Sequence, residues 1–149
     1  MEVKTDNTIV AYEAKGQRKN KPWPAEYEGL GQAIAYLQLP LIMTNNKRLY
    51  KGGVIDKVYL AHCAPHRNVF GETWLKTVSN TPIGLTIITK NGEVLNILEA
   101  SSNPVLNKHA KEHFLENLDT LESFGENSRT FRSIKRDGMA YLAKNENIK

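Results

Sequence analysis

The chain has a single cysteine, Cys63, and no apolar run long enough to cross a lipid bilayer. One cysteine excludes an internal disulfide and fits a reducing compartment. Crossing a membrane would take about 20 consecutive apolar residues, and the amino terminus lacks the pattern of a signal peptide. We therefore expect a cytoplasmic protein with no membrane partner. Internal repeats, linkers and low-complexity tracts are also missing, so residues 1–149 are predicted to form a single domain.

The composition is that of an ordinary globular domain. Hydrophobic residues make up 40% of the 149 residues and charged residues 24%. A chain of this length buries roughly 70% of its unfolded surface, which is enough for a core without disulfides. The net charge of +4 favours a polyanionic partner only weakly, because mild positive charge serves solubility equally well.

The hydrophobic pattern alternates between strand and helix periods. It predicts an α/β or α+β fold with a mixed central sheet flanked by helices. Residues 105–149 are expected to form a helical carboxyl-terminal part whose last helix carries a basic face. The predicted strands are Met1–Lys4, Thr8–Lys15, Val54–Cys63, Ile83–Thr89 and Glu93–Ala100, and the predicted helices are Ala25–Ile42, Glu72–Ser79, Val105–Ser123 and Asn127–Lys144.

Glu13 and Lys15 end the second predicted strand. They are two residues apart, so their side chains leave the same face of that strand. Two charges are unusual where a strand should be apolar, and a catalytic role explains them better than packing does. A carboxylate can hold Mg²⁺ or Mn²⁺, and a metal can polarise a phosphate and lower the pKa of a bound water. A nearby lysine can neutralise developing charge.

Glu2 is the acid expected to share a metal with Glu13. A two-residue hairpin loop at Asp6-Asn7 would place Glu2 opposite Ala11, on the same face as Glu13. A slip of one residue would move Glu2 to the other face.

A cationic loop follows the Glu13–Lys15 strand. It contains Arg18, Lys19, Lys21 and Trp23, a combination suited to a backbone phosphate and a stacked base. A solvated loop whose tryptophan packs back on the body fits the sequence equally well.

The first predicted helix carries Glu28, Gln32 and Tyr36 at intervals of four residues, which makes a polar stripe beside its apolar one. Together with Glu13-Ala14-Lys15, the run from Glu28 to Leu37 resembles the PD-(D/E)XK nuclease superfamily, in particular the subgroup with a Q-x-x-x-Y helix that includes type I restriction nuclease domains and RecB-like nucleases.

That resemblance implies a restriction-endonuclease-like fold and a Mg²⁺-dependent DNA endonuclease in restriction, recombination or repair. It implies Glu13 as a metal ligand and Lys15 as the catalytic lysine, with Gln32 and Tyr36 positioning the site or the DNA. Symmetric cutting of a duplex needs two sites, which favours a homodimer.

The chain departs from the family before Glu13. The family usually has a Pro-Asp on the preceding strand and further elements upstream, so the amino-terminal part is expected to be shortened here. Three explanations stay open: Glu2 substitutes for the aspartate, the acid is absent, or another chain supplies it. The last two favour a second hypothesis, a catalytically incomplete DNA-binding or assembly subunit with a nuclease-like fold.

Two other motifs carry weaker hypotheses. His109-Ala110-Lys111-Glu112-His113 spells the inverted zinc-peptidase motif, but motifs this short arise by chance on amphipathic helices. His62, Cys63 and His66 are closely spaced soft ligands without a second pair to complete a zinc site, and a buried free cysteine is the ordinary explanation.

Overall fold

Strands and helices alternate along the described part of the chain. A computed structural model describes residues 1–16, 24, 27–38, 53–64 and 70–116. The elements are β1 (Glu2–Val3), β2 (Ile9–Lys15), α1 (Leu30–Tyr36), β3 (Lys57–Cys63), α2 (Glu72–Ser79), β4 (Gly84–Ile88), β5 (Val94–Leu98) and α3 (Lys108–Glu116).

The five strands form one mixed sheet in the order β1-β2-β3-β4-β5. β2, β3 and β4 run parallel, and the two outer strands pair antiparallel with their neighbours. Helices connect the parallel strands, as parallel pairing requires a crossover. The predicted class, a mixed central sheet flanked by helices, is confirmed.

The core lies between one sheet face and the helices. Val58 and Leu60 alternate inward along β3, as the sequence pattern predicts, and both are fully buried. The helices contribute Ala33, Trp74 and Phe114 to the same cluster. Glu13, Lys15 and His62 project from this same sheet face. Glu13 and Lys15 are two and four residues after the buried Ala11 on β2, and His62 is two residues after Leu60 on β3.

The hairpin between β1 and β2 differs from the prediction by one residue. Lys4 N–H donates to Thr8 O at 2.9 Å, so the loop has three residues, and its last one, Asn7, has a φ of 64°. Glu2 therefore pairs with Val10 rather than Ala11. The predicted register is wrong, and the side chain of Glu2 leaves the sheet on the face opposite Glu13.

Helix α1 begins later than predicted. Tyr27 and Gly29 have φ angles of 64° and 85°, which a right-handed helix excludes, so the residues before Leu30 form a turn. The predicted continuation beyond residue 38 lies outside the described residues.

The other helices and the second hairpin are close to expectation. α2 spans the predicted residues Glu72–Ser79. The β4–β5 hairpin closes at the predicted Asn-Gly turn, where Gly92 has a φ of 80°. α3 begins three residues after the predicted start at Val105, because Leu106 forms a parallel bridge with Gly53 instead. Its predicted end and the predicted helix Asn127–Lys144 lie outside the described residues. In the part of the chain that the structure describes, no helix has the length and apolar character needed to cross a membrane.

Candidate functional site

Glu13 and Lys15 form an ion pair at the carboxyl end of β2. Lys15 Nζ lies 2.8 Å from Glu13 Oε1. Glu13 is 4% exposed although it is an acid on a sheet strand. A buried carboxylate is costly unless it is paired and hydrogen-bonded, and Lys15 supplies the paired charge.

Tyr36 contacts the same carboxylate from α1. Its hydroxyl donates a hydrogen bond to Glu13 Oε2. Each oxygen of Glu13 therefore has its own donor, one from the strand and one from the helix. The helix follows β2 in the chain and packs over its carboxyl end, which is where clefts form in sheets with parallel strands.

Gly29 makes room for the Lys15 side chain. With its left-handed φ of 85°, it stands directly over the lysine: a Cβ at position 29 would lie 2.7 Å from Lys15 Cε and 3.0 Å from Lys15 Cγ. A Cβ at 2.7 Å from Lys15 Cε would force the flexible end of the lysine side chain to move. The turn before α1 thus packs on the lysine stem as backbone, without a side chain between them.

His62 belongs to the same cluster. It is the residue on β3 that pairs with Lys15 on β2, and it is fully buried. Its Nε2 lies 2.7 Å from the carbonyl oxygen of Glu28. A carbonyl only accepts hydrogen bonds, so Nε2 carries the proton and Nδ1 is the bare nitrogen of the neutral ring. Among the described residues, Nδ1 has no hydrogen-bond partner.

The environment of His62 favours its neutral form. Burial lowers the pKa of His62 most, and the Lys15 ammonium acts in the same direction. The Glu28 carbonyl and the negative charge of Glu28 oppose that shift. Phe70 and Trp74 surround the ring, with centroids 5.5 Å and 5.8 Å from it.

The structure brings together some of the predicted site residues and separates others. Glu13, Lys15 and Tyr36 are in contact, and Glu28 joins the cluster through its backbone carbonyl. Glu28 lies in the turn before α1, so the predicted stripe of three helical residues is wrong, and Gln32 is exposed on the helix. Glu2 is on the other sheet face. Arg18, Lys19 and Lys21 lie outside the described residues.

His62 was considered in the sequence only as part of a weak zinc motif with Cys63 and His66, and not as a neighbour of Lys15. The alternating pattern of β3 predicted its face, but not its neighbour on β2. A signal was present: carboxyl ends of parallel strands meet at one sheet edge, and Lys15 and His62 each lie near the end of such a strand.

Glu13 can supply one carboxylate to a divalent cation. Mg²⁺ is usually bound through one or two carboxylates, with waters and substrate phosphates completing its shell. The described residues contain no group of three or more histidine, cysteine or acidic side chains placed to hold a metal. Both Glu13 oxygens already accept from Lys15 or Tyr36, so a metal bound there would use the remaining lone pairs of the carboxylate and take its other ligands from water or a phosphate.

Neither weaker motif contributes a group of three or more possible metal ligands within the described residues, and His66 lies outside them. His62 and Cys63 are consecutive on β3, so their side chains leave opposite faces of the sheet and cannot share a metal. On α3, His109 and Glu112 are exposed and 3.8 Å apart, an arrangement expected for a solvated helix surface.

Comparisons of this chain with protein-family models, curated protein sequences and solved structures find no match to any of them. What the cluster does is therefore inferred from its own residues.

Proposed function

We propose that the chain is a metal-dependent DNA endonuclease with a restriction-endonuclease-like fold, and that Glu13, Lys15 and Tyr36 form its active site. The observation that carries this proposal is the contact of all three side chains at the carboxyl end of a parallel strand. Of the four residues that carry the resemblance to the PD-(D/E)XK superfamily, these three are in contact, and the fourth, Gln32, is exposed on α1.

The chemistry assigned to each residue follows from its surroundings. A divalent cation bound at Glu13 would polarise the scissile phosphate and lower the pKa of a water. Tyr36 holds the Glu13 carboxylate in one orientation through its hydroxyl. Lys15 keeps an ammonium beside that carboxylate, where it offsets the charge that develops on a phosphate under attack. Burial strengthens both interactions, because a low local dielectric screens charges less than water does.

A second candidate function is a catalytically incomplete DNA-binding or assembly subunit with the same fold. The position of Glu2 favours it, since Glu2 lies on the face opposite Glu13 and cannot share its metal. A homodimer or a partner chain that supplies the second acid would reconcile this position with the nuclease proposal.

Cleavage of supercoiled plasmid DNA distinguishes the two functions. The protein is incubated with plasmid at low salt in MgCl₂ or MnCl₂, alongside Lys15→Ala and Glu13→Gln. Lys4→Ala is the matched control, because Lys4 is an exposed cation in the β1–β2 hairpin, and β2 also carries Glu13 and Lys15. The nuclease proposal predicts metal-dependent cutting by the wild type and Lys4→Ala, and loss of cutting in the other two variants.

The remaining outcomes are equally informative. Binding in a mobility-shift assay without cutting supports the incomplete subunit. Cutting that persists in both Lys15→Ala and Glu13→Gln contradicts this active site. Electrostatic binding to DNA is strongest at low salt, so the absence of any DNA interaction under those conditions rejects both candidates.

A further inference from the structure

We infer that Gly29 and His62 are positioning residues, which together seat the turn Tyr27–Gly29 on Lys15 and thereby hold its ammonium against Glu13. Neither residue is assigned to contact substrate. The inference rests on the proposed function only for its catalytic consequence, because the position of Lys15 is measurable without any activity.

The first observation concerns Gly29. Its backbone packs where a side chain would collide with Lys15, since a Cβ would stand 2.7 Å from Lys15 Cε. Its φ of 85° is also one that residues with a side chain rarely adopt. The close approach confines the lysine stem between the turn and the sheet, where Leu60 is also near. The turn thus bounds one side of the lysine stem whose ammonium lies 2.8 Å from Glu13 Oε1.

The second observation concerns His62, which holds the turn in place. Its Nε2–H donates to the carbonyl of Glu28, the residue directly before Gly29. Because β3 pairs with β2 so that His62 lies beside Lys15, one hydrogen bond ties the turn to the strand next to the lysine. The ring is fully buried, so no water competes for this bond.

Aromatic side chains in and just before α2 pack against both His62 and the turn Tyr27–Gly29. Trp74 is fully buried and lies against His62, with ring centroids 5.8 Å apart, and against Tyr27 of the turn at the same separation. Phe70 stacks on Trp74 at 4.4 Å. Trp74 thus contacts both ends of the link between the histidine and the turn, and aromatic pairs at these separations are favourable.

The glycine test compares two substitutions in one short segment. Gly29→Ala adds a methyl group that meets Lys15, whereas Gly31→Ala adds one with no atom within 4 Å. Two NMR signals report the lysine: the ¹H–¹⁵N cross-peak of its ammonium, and the scalar coupling across the hydrogen bond from Lys15 Nζ to Glu13 Cδ. We expect Gly29→Ala to lose the coupling and Gly31→Ala to keep it.

The histidine test uses a rescue. His62→Leu keeps an apolar side chain but removes the donor to Glu28, while His62→Gln retains an amide nitrogen the same number of bonds from Cβ as Nε2. We expect His62→Leu to lose the Nζ–Cδ coupling and His62→Gln to keep it. A histidine that served only to fill the core would not show this difference between two variants that both remove the imidazole ring.

Activity supplies the second readout where the wild type cuts DNA. Misplacement of a catalytic group by about 1 Å can cost on the order of 100-fold in rate. We expect a kcat loss of roughly that size in Gly29→Ala and His62→Leu, with kcat near the wild-type value in Gly31→Ala and His62→Gln. If the wild type does not cut DNA, the proposed function fails, and the coupling alone decides the positioning role.

Two results would overturn the inference. One is a folded Gly29→Ala protein whose Lys15 coupling equals that of Gly31→Ala. The other is equal coupling in His62→Leu and His62→Gln. Should Gly29→Ala fail to fold, the histidine pair gives the decision by itself.

Discussion

Tyr36 donates its hydroxyl hydrogen to Oε2 of Glu13, a residue 23 positions earlier in the chain. Lys15 occupies the other oxygen of the same carboxylate. One buried acid therefore joins strand β2 to helix α1, and its two partners differ in kind: one is a neutral donor and the other a cation. This division allows the two contacts to be tested separately.

Tyr36→Phe removes only the neutral donor. A hydrogen bond to a charged group contributes about 1.5–3 kcal/mol, so we expect the free energy of unfolding to fall by that amount. Urea denaturation measures it. Tyr12→Phe is the control, because Tyr12 is 43% exposed on the opposite sheet face, and its effect should stay within ~0.5 kcal/mol. Equal effects of the two substitutions would show that the Tyr36 hydroxyl does not stabilise the fold.

Lys15→Met removes the cation and leaves Glu13 buried without its charge partner. Breaking a fully buried ion pair costs about 3–5 kcal/mol. The Lys15 side chain is 21% exposed, so we expect a smaller loss. Glu13→Gln combined with Lys15→Met should recover most of it, since no charge then remains buried. A double-mutant cycle measured by urea denaturation gives the coupling, and strict additivity of the single changes would contradict this account.

The stability of the fold should decrease in mild acid because of His62. Burial and Lys15 hold the pKa of His62 below its ordinary value of 6.5, against the opposing effect of Glu28. The unfolded chain therefore binds a proton that the folded chain does not, once the pH falls below about 6.5. Stability is full above that pH and declines below it until the folded-state pKa is passed, by at most about 1.4 kcal/mol per pH unit.

Denaturation curves between pH 8 and pH 5 test this pH dependence. The difference in unfolding free energy between the wild type and His62→Gln isolates the contribution of His62, because the other histidines are common to both proteins. We expect the wild-type advantage to shrink as the pH falls below 6.5. A difference that stays constant with pH would show that His62 titrates alike in the folded and unfolded chains.

Asn103→Asp should disrupt the connection between α1 and the start of β3. Asn103 is buried, and its Nδ2 donates to Leu37 O at 2.7 Å and to Ile55 O at 2.8 Å. An aspartate would place an acceptor against both carbonyls. Each unsatisfied buried group costs about 1–3 kcal/mol, so the combined loss should reach roughly 3 kcal/mol. Asn91→Asp, in the exposed β4–β5 turn, should change little. Thermal unfolding of the two variants makes the comparison, and similar melting temperatures would refute it.

Glu2→Gln should leave DNA cleavage unchanged under the nuclease proposal. The register of β1 places the Glu2 side chain on the opposite sheet face from Glu13, so it has no role at that carboxylate. Plasmid cleavage rates of Glu2→Gln and the wild type make the measurement. Loss of metal-dependent cutting in a folded Glu2→Gln protein would contradict this expectation and would place Glu2 at a site, either through the predicted two-residue loop or from a second copy of the chain.

Features set by short-range geometry were predictable. The alternation of β3, the limits of α2 and the Asn-Gly turn each depend on residues within a few positions of one another. Backbone periodicity and turn chemistry act over the same distances. The side-chain direction shared by Glu13 and Lys15 belongs to this group, because residues two apart on a strand always leave the same face.

Features that depend on one extra loop residue or on the alignment of two strands could not be predicted from the sequence. Asp6 accepts a hydrogen bond from Thr8 N–H and Asn7 adopts a left-handed φ, so the first hairpin takes a three-residue loop that shifts Glu2 by one position. The spacing of Glu28, Gln32 and Tyr36 predicted helix through the turn before α1, yet Tyr27 and Gly29 leave the helical region. In both places several local conformations have similar energies, and packing against the sheet selects one of them.

The amino-acid sequence by itself determined that Glu13 and Lys15 share a strand face, that the fold mixes strands with helices, and that a helix follows the pair. Only the tertiary structure decided that Tyr36 reaches Glu13, that His62 lies beside Lys15, and that Glu2 does not join them. The physical reason is one of range. Side-chain direction repeats with the backbone over a few residues, whereas contacts across 23 to 47 positions depend on which strands pair, in which register, and on what the core requires of the turn above them.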